Sequence, residues 1–283
     1  MNSAPANQPP IRAAALVGLG AIGTLYAAQI SARDPACLRI VADSARIARY
    51  RANPPSFNGL RLDLLYATPD NPGAPADLVL VAVKSTGLAA ALPAIAPFLA
   101  EHTQILPLLN GITAQDVLAD AFGWPRVLHG FVYCESSMRT GNAVVQNGVN
   151  KIVFGEAVNT PPAPRVQAIA DFFERVGVKC DIPADMRAAQ WKKYILNIGI
   201  NQAQAVLRAP NRELQQNPEA MQLARNLMDE AAAVATALGI PKADEIPAWA
   251  ETVIRGASPE NRTSMLQDVE AGRTPEIDLF AET

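Results

Sequence analysis

The chain has only two histidines, His102 and His129, and three cysteines, Cys37, Cys134 and Cys180, none of them in C-x-x-C spacing. A zinc site is therefore not expected. At 283 residues the chain can bury a core without a disulfide framework. Charged residues are 18% of the total, the net charge is −3 and no basic run occurs, which argues against a nucleic-acid partner. No apolar stretch approaches the ~20 residues of a membrane span. Residues 1–10 are polar and proline-rich and lack the apolar centre of a signal peptide. The expectation is a cytoplasmic protein of enzyme size that holds no metal and touches neither membrane nor nucleic acid.

What is present begins with a short apolar run, residues 13–17, followed by Gly18-Leu19-Gly20-Ala21-Ile22-Gly23 and a helical pattern through Leu25, Tyr26, Ala27 and Ala28. G-x-G-x-x-G carries information only between a strand and a helix, and here both flank it. Gly18 suits the tight turn, Gly20 leaves room for a pyrophosphate, and Gly23 lets helix and strand pack closely. The helix N-terminus offers N–H groups and positive potential to phosphates. A glycine-rich turn with no ligand is the plainer alternative.

Further strands are expected at 38–42, 77–83, 104–108, 127–132 and 178–182, with a hairpin-like stretch at 60–66 and β signals over 143–154. Helices are expected at 86–99, 113–119 and 163–176. From 185 onward the pattern is helical: 185–207, 218–238, 246–255 and 259–271, the last with Ser258 as N-cap and Pro259 as first helical residue. Alternating strands and helices followed by helices alone imply an α/β fold. The expected division is a Rossmann-like doubly wound domain over 1–183 and an all-α domain over 184–283.

In the helix at 185–207, Gln190, Lys193, Asn197, Asn201, Gln204 and Arg208 recur every three or four residues and share a face. An amphipathic helix with this face in water is one reading. The stripe is mostly amides, however, and apolar residues cover more than the usual arc, which favours a stripe lining a cleft. Lys84 and Asn110 fall at the carboxyl ends of expected strands, where doubly wound sheets bind ligands. A solvated lysine and an Asn-Gly turn are the structural alternatives.

Several pieces spread over nearly the whole chain together resemble the ketopantoate reductase family (2-dehydropantoate 2-reductases). They are the glycine motif, Val83-Lys84, Leu109-Asn110-Gly111-Ile112, Trp191-Lys192-Lys193 with Asn197, Ser264-Met265-Leu266-Gln267-Asp268 and Glu276-Ile277-Asp278. The resemblance implies NADPH-dependent reduction of ketopantoate to pantoate on the coenzyme A pathway, in a cleft between a Rossmann domain and a helical domain. It assigns Lys193 as general acid. Glu276 is expected beside it, bonded to the substrate hydroxyl or the cofactor ribose; a solvated carboxylate is the alternative. It makes Asn197, Asn201, Asn211, Asn261 and Ser264 substrate ligands, with Asn110 contacting substrate or cofactor. Asn261, Ser264 and Asp268 are expected on one helix face, and for Asn211 a simple turn is the alternative.

Two departures from the family matter. Relatives often place an arginine after the second strand for the 2′-phosphate of NADP, whereas this chain has Asp43, at the spacing that suits the ribose 2′-OH of NAD. Arg46 and Arg49 are near enough to offset its charge, so NADP is the expected cofactor and NAD stays open. Members also continue beyond the Glu276 segment, whereas this sequence stops at Thr283, implying truncation or a different closure. A homodimer is left open, as are a dehydrogenase of another keto or hydroxy acid and a non-catalytic NAD(P)-binding sensor.

Overall fold

The computed structural model describes residues 9–135 and 137–281, so most of the polar, proline-rich first ten residues lie outside the described part. The chain divides into two compact units, Met1–Met186 and Arg187–Thr283.

The first unit runs β1 (Ala14–Val17), α1 (Ala21–Arg33), β2 (Leu38–Val41), α2 (Ser44–Ala52), β3 (Ser56–Phe57), β4 (Leu60–Arg61) and β5 (Leu65–Ala67). It continues with β6 (Leu78–Val81), α3 (Leu88–Ile95), β7 (Gln104–Pro107), α4 (Ala114–Phe122), β8 (His129–Cys134) and β9 (Ser137–Thr140). β10 (Ala143–Gln146), β11 (Asn150–Gly155), α5 (Pro164–Arg175) and β12 (Cys180–Asp181) complete it. A parallel sheet of order β5-β2-β1-β6-β7 forms its centre. β1 and β6 are buried at every position, as strands covered on both faces must be, which explains their unbroken apolar runs.

Two apolar clusters cover the sheet. Leu16, Leu25, Ile30, Leu38, Leu80 and Phe173 belong to one, and Val17, Val79, Ile95, Phe98, Ile105 and Leu118 to the other. The expected hairpin at 60–66 is corrected. The hairpin is β3–β4, turning at Asn58 and Gly59, both with positive φ, while Leu65–Ala67 leaves it to pair in parallel with β2.

The second unit is helical: α6 (Met186–Leu207), α7 (Asn211–Gln216), α8 (Pro218–Ala237), α9 (Ile246–Gly256), α10 (Ser264–Glu270) and α11 (Ile277–Ala281). α6 and α8 approach closely at Gly199, where an added Cβ would lie 2.4 Å from Met228 Cγ and 3.0 Å from the Ala224 carbonyl. The helix expected at 259–271 begins instead at Ser264. Its N-cap is Thr263, whose hydroxyl accepts from the Leu266 N–H, so Ser258 and Pro259 lie outside it. Among the described residues, no helix is long and apolar enough to cross a membrane, and no cluster of three or more His, Cys, Asp or Glu could hold a metal.

Candidate active site

In the parallel sheet Val17 stands opposite Val41 on one side and Val81 on the other, and Val81 stands opposite Pro107. The four strands therefore end level. Just past those ends come Gly18, Asp43, Lys84 and Asn110, which the topology gathers along one sheet edge. β1 is also where the strand order reverses, the place at which open α/β sheets bind ligands.

The glycines of the first turn do different work. Gly18 has φ +100°, and a Cβ there would sit 2.7 Å from the Ala82 carbonyl oxygen. A Cβ on Gly23 would sit 1.9 Å from the Gly18 carbonyl oxygen. Both are glycine because the protein itself leaves no room. Gly20 differs: its φ is −78°, and the nearest protein atom to an added Cβ is the Ala82 carbonyl oxygen at 4.0 Å. Packing does not require glycine there, so the space a Cβ would fill is left for something outside the chain. α1 begins at Ala21 with no side-chain cap and no acid in its first turn. Buried Leu19 and half-buried Ile22 pack into the core beneath, so the turn presents backbone outward. N–H groups with no side-chain cap at a helix start, beside a cleared glycine, suit the pyrophosphate of a dinucleotide.

Asp43 is the N-cap of α2. Its Oδ1 accepts from the Arg46 N–H at 2.7 Å, and its Oδ2 lies 3.4 Å from Arg46 Nε. The carboxylate is thus held by its own helix N-terminus and by one guanidinium, which offset part of its charge. Lys84 is exposed where the chain leaves β6, and Asn110 is half-buried beyond β7, ahead of Gly111 with φ +88°.

In the helical unit the amide stripe of α6 does not face water. Gln190, Lys193, Asn201 and Gln204 are all buried, Lys193 at 8% exposure, Asn197 is half-buried, and only Arg208 is exposed. Burying a lysine costs so much that the site must surround it with polar groups or make use of its charge. Lys192 goes elsewhere, its Nζ lying 4.1 Å from the ring centre of Trp249 on α9. α11 is tied to α6 by the Tyr194 hydroxyl donating to the Leu279 carbonyl at 2.8 Å and by Gln202 Nε2 donating to the Phe280 carbonyl at 3.1 Å. Half-buried Glu276 immediately precedes α11, so its position is set by the helix that carries Lys193.

Three expectations change at the other end of the stripe. Asn211 is fully buried; its Nδ2 donates to the carbonyls of Ile254 at 2.9 Å and Ser258 at 3.3 Å. It has no surface to offer a substrate and holds backbone together instead. Asn261 precedes α10 instead of lying on it, and its carbonyl accepts from the Asn211 N–H at 2.9 Å. Ser264 is exposed at the first turn of α10, whereas Asp268 is buried and accepts from Arg273 Nε at 2.8 Å, so the two do not share an environment. Gln204, which the sequence placed in the stripe without a separate role, donates to and accepts from the backbone of the segment before α10. Only its position at the end of an amide-rich stripe hinted at this.

A glycine turn suited to a dinucleotide on a doubly wound sheet, followed in the same chain by a helical unit with a buried lysine, is the arrangement expected of an oxidoreductase. The model for Ketopantoate reductase PanE/ApbA matches residues 14–159, and that for Ketopantoate reductase PanE/ApbA C terminal matches residues 185–282. The chain belongs to the ketopantoate reductase family. It is 28% identical over 297 residues to a 2-dehydropantoate 2-reductase of Mesorhizobium japonicum, covering 94% of this chain and 88% of the relative. The solved 2-dehydropantoate 2-reductase of Geobacter metallireducens is similar with a TM-score of 0.80 and 28% identity, over 95% of this chain and 90% of that one. A D-mandelate dehydrogenase solved with NADH and anilino(oxo)acetate shares the fold at a TM-score of 0.84 and 19% identity, over 94% of this chain and 88% of its own.

Proposed function

We propose that this chain reduces a branched 2-keto acid, 2-dehydropantoate, to the 2-hydroxy acid pantoate, with NADPH as reductant, on the route to coenzyme A. The observation that carries the reading is the buried Lys193, three and four residues from its neighbours in a stripe that includes Asn197 and Asn201. A bound nicotinamide supplies hydride to the keto carbon. As that carbon becomes tetrahedral, negative charge collects on its oxygen. The Lys193 ammonium offsets that charge and donates the proton that completes the alcohol. Asn197 and Asn201 orient the substrate with amide groups that need no charge, and the Ser264 hydroxyl donates to the substrate carboxylate. Glu276 accepts from the hydroxyl being formed or from the ribose, and Asn110 holds substrate and cofactor at the sheet edge. Gly18 to Gly23 seat the pyrophosphate, while Lys84 and Arg46 face the cofactor's anionic groups.

A second reading keeps the chemistry and changes the partners: NADH with another 2-keto acid. Asp43 favours it, because a carboxylate at the end of β2 accepts from a ribose 2′-OH and repels a 2′-phosphate. Oxidation of NADPH and NADH by the purified protein, with 2-dehydropantoate and a panel of 2-keto acids, decides between them. The expected result is turnover of 2-dehydropantoate, faster with NADPH. Turnover of another acid with NADH establishes the second reading, and cofactor binding without turnover of any acid overturns both.

A further inference from the structure

The linker between α9 and α10, residues 257–263, has no regular structure, yet its backbone is bonded at nearly every turn to the end of α6 and the start of α7. The Ser258 carbonyl accepts from Asn211 Nδ2 at 3.3 Å and the Pro259 carbonyl from the Arg212 N–H at 2.7 Å. The Asn261 carbonyl accepts from the Asn211 N–H at 2.9 Å and from Gln204 Nε2 at 3.3 Å. The Thr263 N–H donates to Gln204 Oε1 at 2.9 Å.

Gln204 is 1% exposed, and its two partners fix which way its amide points. A carbonyl can only accept and an N–H can only donate, so the side chain must supply one donor and one acceptor. Neither a carboxylate nor a thioether does both. Thr263, the residue it holds, is the N-cap of α10, and Ser264 is the next residue. On α6, Gln204 lies three residues after Asn201 and so on the same face.

We infer that Gln204 is a positioning residue: it carries the geometry of the α6 stripe across to Ser264, setting where the hydroxyl meets the substrate carboxylate. The inference deepens the proposed function and rests on it, because it takes Ser264 as the carboxylate ligand. Deleting either hydrogen bond lets the linker shift, and a displacement near 1 Å is enough to cost ~100-fold in catalytic efficiency.

The test is a double-mutant cycle of Gln204→Met and Ser264→Ala, read as kcat and KM for the keto acid, cofactor Kd and Tm. In the otherwise native enzyme, Gln204→Met is expected to raise KM by ~10- to 100-fold while cofactor Kd holds and kcat changes little. In the Ser264→Ala background it is expected to add almost nothing, since the group it positions is gone. A purely structural role lowers Tm without that dependence on Ser264. If Gln204→Met does not fold, Gln204→Glu, which keeps the acceptor for Thr263 and loses the donor to Asn261, takes its place in the cycle. Equal losses in both backgrounds, or an unchanged KM, overturn the positioning role alone. Failure of the unmutated protein to reduce any 2-keto acid overturns the functional reading and this inference with it.

Discussion

The carboxyl edge of the parallel sheet and the polar face of α6 both gather site residues, but by different physics. At the sheet edge the topology does the gathering. Strands that end in register deliver Gly18, Asp43, Lys84 and Asn110 to one line whatever their side chains are. On α6 the periodicity supplies a face, and the same amide chemistry then serves two ends. Asn197 and Asn201 are offered to substrate in the proposed mechanism, whereas Gln204 is consumed by backbone. Spacing identifies a site at the edge of a sheet; along a buried helix it identifies only a face.

The sheet edge offers the largest effect, because two glycines three residues apart, Gly20 and Gly23, stand there for opposite reasons. Gly23→Ala places a Cβ 1.9 Å from a backbone oxygen, which neither rotamer nor side-chain movement relieves. It is expected to cost more stability than ordinary overpacking, beyond ~3 kcal/mol, read as a large fall in Tm, and to abolish cofactor binding. Gly20→Ala meets no protein atom closer than 4.0 Å and is expected to leave Tm unchanged. Its added methyl group would point into the space proposed for the pyrophosphate, so a clash of ~1–3 kcal/mol is expected as a ten- to hundredfold rise in cofactor Kd. Thermal unfolding alongside fluorescence titration separates the two, and an equal loss of Tm in both variants breaks the distinction.

In the helical unit the corresponding substitution is Gly199→Ala. Here the Cβ meets Met228 Cγ and the Ala224 carbonyl of α8, and Met228 is itself fully buried. Overpacking of ~1–3 kcal/mol is expected, read as a lower midpoint in denaturant. Unchanged stability would mean that α6 and α8 can separate without cost.

The smallest effect lies at the surface between α8 and α9. The Arg255 guanidinium, hydrogen-bonded to Glu251, holds this carboxyl below its ordinary range, with Arg225 adding to the effect. A lowered folded value means that the bond's contribution is present above the ordinary carboxylate pKa and is lost as pH falls through the folded one. Glu251→Gln is expected to cost at most ~1 kcal/mol at pH 7. The difference in Tm between Glu251→Gln and the parent should shrink below pH ~4. A gap that is constant across that range would show that the carboxylate's charge is not what matters.

The same contrast explains what could be read from the chain alone. The glycine turn, the buried strands and the long helices are each dictated by neighbours in sequence, and they stand where local pattern places them. Local sequence places the start of α10 too early, because Ser258 and Pro259 carry good helix-start chemistry. Their carbonyls, however, are claimed by Asn211 and Arg212, so tertiary hydrogen bonds override the local signal. Nothing near Asn211 in sequence signals its burial, because the carbonyls that receive its amide belong to Ile254 and Ser258, more than 40 residues on. For a similar reason local pattern reads Leu65 and Tyr66 as part of a hairpin at 60–66, whereas their partner, β2, lies far upstream.

Turnover and cofactor affinity of Lys193→Ala, measured side by side, test the central claim most directly. The account predicts that kcat falls by ~100- to 10,000-fold, the contribution of a lost proton donor, while cofactor Kd stays at the parent value. Unchanged kcat in a folded variant would contradict it, and the buried lysine of α6 would then have to be explained without chemistry.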